Sequence, residues 1–225
     1  MHTTGIKIAI TGGIGVGKSF VLRCFARLGA KIFNADKAVH MLFSREGEAY
    51  EAIANIFPTC VTEQGVDRRK LGAEVFSNPQ KLKQLEEIVH PLVAKKEAEF
   101  VQTCNRHCDK LMVFEIPLLY EIGTEKQYDF VVLANAPKFI QKQRVLARRT
   151  VNEKQLEAIE GRRLPLWQKM KKADFVINTG LSKAETIKQI KRIVQHVTAK
   201  RSGAGHRDDR SKDSRRSSSN RDWLC

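Results

Sequence analysis

The sequence predicts an α/β fold built on a parallel sheet with helices on both faces, and three observations predict it. Short, nearly continuous apolar runs recur along the chain, as strands buried on both faces require. Longer stretches between them carry apolar residues at helical spacing. A glycine-rich loop joins the first apolar run directly to the first helical pattern, the arrangement of a βα unit.

The elements follow in order. Ile6-Lys7-Ile8-Ala9-Ile10 alternates as a first strand, and Val21, Leu22, Phe25 and Leu28 place a helix over Phe20 to Leu28, with Gly29 as its stop. Lys31-Ile32-Phe33, Leu111 to Phe114, Phe130 to Leu133 and Phe175-Val176-Ile177 are the remaining strand candidates. Residues 37–109 show no comparable strand but several helical patterns, such as Leu82, Leu85, Ile88 and Val89, and read as a helical excursion from the sheet. A second excursion, 139–172, is crowded with Arg144, Arg148, Arg149, Arg162 and Arg163, and inside it Asn152 has the place of an N-cap with Gln155 at the capping-box position. Ser182 heads a last helix from Lys183 to Val197. His90-Pro91 reads as a helix terminus, since proline disfavours helix in its predecessor. After Lys200 the composition changes: residues 201–225 hold six Ser, seven Arg or Lys and four Asp, which predicts a disordered basic tail. The expected organisation is one folded domain over 1–200 followed by that tail.

A chain of 225 residues can bury a sizeable core. Five cysteines, an odd number, point to reduced thiols in a cytoplasmic protein and not to a disulfide framework. No apolar run reaches the roughly 18 residues of a membrane span, so no membrane partner is expected. The formal charge is +15, of which about +12 belongs to residues 1–200, and such an excess suits a phosphate-bearing partner.

Gly12-Gly13-Ile14-Gly15-Val16-Gly17-Lys18-Ser19 satisfies G-x-x-x-x-G-K-[ST] between a strand and a helix. Glycines let successive backbone N–H groups point inward, and the helix start adds free amides and the positive end of its dipole. Lys18 reaches the β and γ phosphates of a nucleotide, and the Ser19 hydroxyl ligates the Mg2+ that bridges them. ATP is the expected cofactor, because the N-K-x-D segment that reads guanine is absent.

In an open parallel sheet the C-terminal ends of strands share one crevice. That places Asp36, in Asn34-Ala35-Asp36, beside the γ-phosphate as a proton acceptor, although a plain helix cap is the competing reading. Glu115 ends the third strand of the chain and is a second magnesium candidate, directly or through water. Arg144 and Arg148, four apart on one helix face, suit a flap that neutralises phosphate charge; a solvated face is the bland alternative. Cys104-Asn105-Arg106-His107-Cys108 lacks the second ligand pair of a structural zinc site and reads as ordinary chain.

Taken together, the motifs resemble the dephospho-CoA kinase family over most of residues 5 to 198. Ile10 to Ser19 looks like that family's T-G-G-I-G-S-G-K-S-T loop, Asn34-Ala35-Asp36 like its D-A-D element, and Asp67-Arg68 through Leu71 like D-R-x-x-L. His90-Pro91 resembles its H-P element, Glu115 to Glu121 its D-x-P-L-L-F-E, and Ala173 to Gly180 its A-D-F-V-I-D-T-G. The resemblance implies a P-loop NTPase-type kinase whose helical region, 37–109, receives substrate and whose segment 139–172 is a lid. It implies transfer of the ATP γ-phosphoryl group to the ribose 3′-hydroxyl of dephospho-CoA, the last step of coenzyme A synthesis, with Asp36 as base, Lys18, Arg144 and Arg148 on phosphate, and Arg68 and His90 on substrate.

There are departures from the pattern. Val16 and Phe20 replace a serine and a threonine, leaving their backbone amides for phosphate; Asn34 and Glu115 replace aspartates; Arg163 replaces a glutamine. Another nucleotide-type P-loop kinase is the runner-up. An ATP-dependent nucleic-acid-binding protein is the reading from a different class, and specific nucleic-acid binding is not expected, because neither an aromatic-rich RNA signature nor an L-S-G-G-Q segment is present.

Overall fold

A computed structural model describes residues 5–148, 152–161 and 163–202. Arg149, Arg162 and the predicted tail beyond Ser202 lie outside the described residues.

In chain order the elements begin with β1 (Ile6–Thr11), α1 (Lys18–Arg27), β2 (Lys31–Asn34), α2 (Ala35–Leu42), α3 (Tyr50–Ile56), β3 (Val61–Thr62), β4 (Gly65–Val66), α4 (Arg68–Phe76) and α5 (Pro79–Arg106). There follow β5 (Leu111–Glu115), β6 (Phe130–Asn135), α6 (Lys138–Ala147), α7 (Glu153–Gly161), α8 (Leu166–Lys172), β7 (Phe175–Asn178) and α9 (Lys183–Ser202). The strand order is β2-β5-β1-β6-β7, with every neighbouring pair parallel. The register aligns the C-terminal strand ends: Glu115 lies opposite both Ile10 and Asn34, and Asn135 opposite Asn178.

Both sheet faces are covered, which is why the strands read as apolar runs. On one face Ile8, Ile10, Val113, Val132 and Ile177 pack against α1 through Val21 and Phe25, and against α9 through Ile190, Ile193 and Val197. On the other, Ala9, Met112, Phe114 and Val131 join Phe33, Tyr128 and Phe100 of α5. Residues 35–106 add a third apolar cluster, in which Leu42, Ile53, Phe57, Leu71 and Val75 meet Leu82, Leu85, Ile88 and Val89 of α5.

Most helix starts carry the cap that local chemistry asks for. The Asn34, Asp67 and Asn78 side chains accept from the first-turn amides of α2, α4 and α5. Asn152 and Gln155 exchange reciprocal hydrogen bonds of 2.9 Å, the capping box that their spacing predicts. Ser182 Oγ accepts from Glu185 N at 3.1 Å.

Three expectations need correction. The 37–109 excursion contains a strand pair after all, β3 with β4, whose two-residue strands are too short to show periodicity. His90-Pro91 ends no helix: Pro91 lies inside the 28-residue α5, where apolar contacts along the helix outweigh one missing backbone hydrogen bond. The last helix runs to Ser202, two residues into the segment that composition assigns to the tail. No described helix is long and apolar enough to cross a membrane.

Phe114 is fully buried in mid-sheet, with Phe33, Phe100 and Tyr128 ring centroids within 5.2 to 5.9 Å. Phe114→Ala is therefore expected to lower unfolding stability by about 3–5 kcal/mol in a urea titration. A loss under about 1 kcal/mol would mean that this face of the sheet repacks freely.

Candidate active site

The loop after β1 holds its shape because three of its four glycines adopt positive φ. Gly12, Gly15 and Gly17 take φ of 147°, 74° and 88°, the left-handed region that glycine alone enters cheaply. A Cβ on Gly12 would stand 2.4 Å from the Ala134 carbonyl oxygen, and one on Gly15 2.5 Å from Val145 Cγ2. Gly17 caps α1 with no side-chain hydrogen bond, so the helix start offers its first amides to an anion.

The loop holds Lys18 with its own backbone: Nζ donates to the Gly12 carbonyl at 2.9 Å and to the Gly13 carbonyl at 2.8 Å. Burial pushes the Lys18 ammonium down to about 8, and the Arg163 charge pushes the same way while Glu115 and Asp36 oppose it. Burial pushes the Glu115 carboxyl up; Lys18 counters this and Asp36 adds to it.

Asn34 and Glu115, opposite each other in the β2–β5 register, also bond through their side chains, Asn34 Nδ2 donating to Glu115 Oε2. Asn34 Oδ1 accepts from Lys37 N at 2.8 Å, which makes Asn34 the cap of α2. Asp36 therefore lies in the first turn of α2 with an exposed side chain. Lys18, Ser19, Asp36, Glu115, Arg148 and Arg163 all line one cavity of about 330 Å³ at the C-terminal strand ends.

Arg144 sits elsewhere. Its guanidinium donates to Thr179 Oγ1 at 3.2 Å and to the Thr179 carbonyl at 2.8 Å, behind Gly17. The buried Thr179 hydroxyl in turn reaches the Val16 and Asn135 carbonyls, tying the phosphate loop to β6 and to the end of β7. Gln141 of α6 adds a 2.8 Å hydrogen bond to the Ile14 carbonyl. Local sequence pattern gives no role to Thr179 or Gln141, because their bonds to the phosphate loop, to Val16 and Ile14, span 163 and 127 residues; the Asn178-Thr179-Gly180 segment is the visible signal. Arg68 and His90 line a second cavity of about 610 Å³, with apolar walls from Val39, Phe43, Leu71 and Val89. Val39 belongs to α2 and Phe43 is its C-cap, so the helix that carries Asp36 leads from the first cavity to the second.

The residues fit a nucleotide triphosphate: glycine positions that any Cβ would obstruct, a helix start with free amides, and a lysine held only by carbonyls that a phosphate can replace. Magnesium in nucleotide sites keeps water and phosphate oxygens and needs only one or two protein oxygens. Ser19 and Glu115 supply such a set, and no group of three His, Cys, Asp or Glu side chains that could cage a metal occurs among the described residues.

A family profile described as dephospho-CoA kinase matches residues 6–185. Curated relatives with that name include one from Bradyrhizobium diazoefficiens, 40% identical over 84% of this chain and 94% of the relative, and one from Bartonella quintana, 37% identical over 84% and 97%. Among solved structures, that of TT1252 from Thermus thermophilus superposes with a TM-score of 0.76 at 32% identity, covering 88% of this chain and 98% of the other. The dephospho-CoA kinase from Campylobacter jejuni gives 0.59 at 26% identity, covering 87% and 98%.

Gly15→Ala places a methyl group against Val145 and strains a left-handed φ. With about 1–3 kcal/mol of strain in the loop, nucleotide affinity is expected to fall by about 10- to 100-fold in a fluorescence titration. Unchanged affinity would show that the loop conformation seen here is not the binding one.

Proposed function

The chain belongs to the dephospho-CoA kinase family, and from that premise we propose how its own residues carry the reaction. The reaction is transfer of the ATP γ-phosphoryl group to the 3′-hydroxyl of dephospho-CoA, giving coenzyme A and ADP. One observation carries the proposed assignment: Lys18, Ser19, Asp36, Glu115 and Arg148, from four separate parts of the chain, line one cavity.

Backbone amides from Gly12 to Phe20 cradle the phosphates, and Lys18 exchanges its two loop carbonyls for β and γ oxygens. Ser19 and Glu115 would hold magnesium, which would supply positive charge to the phosphates. Asn34 keeps the Glu115 carboxylate turned toward this point. Asp36, exposed at the cavity wall, accepts the proton of the attacking hydroxyl. Arg148, at the cavity with Lys18, neutralises phosphate charge, and Arg144 braces the phosphate loop from behind Gly17 through its bonds to Thr179.

The acceptor's ribose then sits beside Asp36 and its pantetheine arm runs along α2 into the second cavity. The helix rises about 1.5 Å per residue, so Phe43 lies about 10 Å from Asp36, within reach of an extended arm. Apolar walls suit the arm's methyl and methylene groups, while Arg68 and His90 at that cavity supply donors for its phosphates. In this reading 37–109 is the substrate region and 139–172 the lid. The odd cysteine count and four free thiols among the described residues support a reducing, cytoplasmic setting.

Asp36→Asn keeps the shape of the side chain and removes the proton acceptor. Single-turnover transfer from ATP to dephospho-CoA is expected to slow by about 10²- to 10⁴-fold, with ATP affinity within a few fold of wild type. Wild-type single-turnover chemistry would remove Asp36 from the role of base.

A further inference from the structure

Among the described lid residues, Arg163 is a guanidinium whose neighbour in the chain is tied to an ion pair. Its Nη1 stands 3.4 Å from the Gly12 carbonyl oxygen, the atom that already accepts the Lys18 ammonium. Two cations thus converge on one neutral acceptor at the floor of the phosphate cavity. Their mutual repulsion is relieved when an anion arrives between them.

Next along the chain, Leu164 N donates to Glu121 Oε1 at 3.0 Å. The same carboxylate oxygen accepts from Lys169 Nζ at 2.7 Å, and Lys169 is only 4% exposed. Leu164 also packs against the core cluster below the sheet. Burial alone would push the Glu121 carboxyl up, but the Lys169 ammonium and the Leu164 amide hold it below the ordinary range. The segment that follows α7 is therefore fastened to the loop after β5.

We propose that Arg163 is a further phosphate-binding guanidinium, held over the phosphate loop by the partly buried Glu121–Lys169 pair, and that it binds an ATP phosphate oxygen. This rests on the kinase reading above and extends it to a residue that the family motif does not carry. Val16 and Phe20 bring no hydroxyl donors to the loop, and the Arg163 fork stands beside it with donors of its own. Glu121 and Lys169 touch no substrate; they are positioning residues that act through Arg163.

The test is calorimetric binding of a non-hydrolysable ATP analogue without acceptor, alongside steady-state kinetics with dephospho-CoA. Binding without acceptor reads Arg163 even if a different acceptor were used, so the two readings fail separately. Arg163→Gln is expected to weaken nucleotide binding about 10-fold and to lower kcat/KM for ATP by about 10- to 100-fold, with KM for dephospho-CoA unchanged. Arg163→Lys should recover part of this loss. Replacing the ion pair by the neutral Glu121→Gln, Lys169→Met combination should weaken nucleotide binding in the wild-type background but add little to Arg163→Gln, and Lys169→Arg should behave as wild type. Wild-type nucleotide binding and kcat/KM in a folded Arg163→Gln protein would overturn the phosphate role. Full additivity of the ion-pair and Arg163 changes, or failure of Lys169→Arg to rescue, would overturn the positioning role.

Discussion

The site depends on a partly buried cation held by its own loop. Lys18 opens α1 at the bottom of a half-buried cavity and satisfies its ammonium on two carbonyls of its own loop. Burial works against that charge, and so does Arg163, while Glu115 and Asp36 are the carboxylates that support it. A loop in this condition is pre-arranged for an anion, since phosphate oxygens offer charge where carbonyls offer only dipoles. The left-handed glycines, the lattice of bonds around Thr179 and the close packing of α6 keep the amides aimed inward until that exchange occurs.

Sheet register turns this local device into a reaction site. Parallel pairing sets Ile10, Asn34 and Glu115 at one height, so the phosphate loop, the start of α2 and the end of β5 meet at one crevice although 81 residues separate Asn34 from Glu115. The β2–β5 pair adds a chemical match. Two facing carboxylates there would repel, whereas an amide facing a carboxylate forms a hydrogen bond and leaves one carboxylate at this strand end. Beyond the crevice, α2 serves two cavities, with Asp36 at one end of the helix and Val39 and Phe43 at the other.

What was legible in the sequence had a local cause. The phosphate loop needs glycines at fixed offsets between a strand and a helix, and the buried strands need continuous apolar runs, so both stand out in single segments. The Asn152–Gln155 and Ser182–Glu185 caps span three residues and were legible for the same reason. Asp36 lies in the first turn of α2, and the cap of that helix is Asn34, two residues earlier. The β3–β4 pair is too short for periodicity, and Pro91 inside α5 depends on tertiary packing that outweighs local propensity. The roles of Thr179, Gln141 and the Glu121–Lys169 pair arise from contacts between segments 43 to 163 residues apart, which no local pattern encodes.

The central claim is that this cavity hands the γ-phosphoryl group to one hydroxyl of one acceptor. Its most direct test is to incubate the purified chain with γ-labelled ATP, magnesium and, in separate reactions, dephospho-CoA, nucleoside monophosphates, single-stranded RNA or no acceptor, and to map the label in the product. The account requires label at the ribose 3′ position of coenzyme A, one ADP per labelled product, and little turnover in the other reactions. Label at another position of the acceptor, or turnover driven by RNA or nucleoside monophosphates in place of dephospho-CoA, would contradict it.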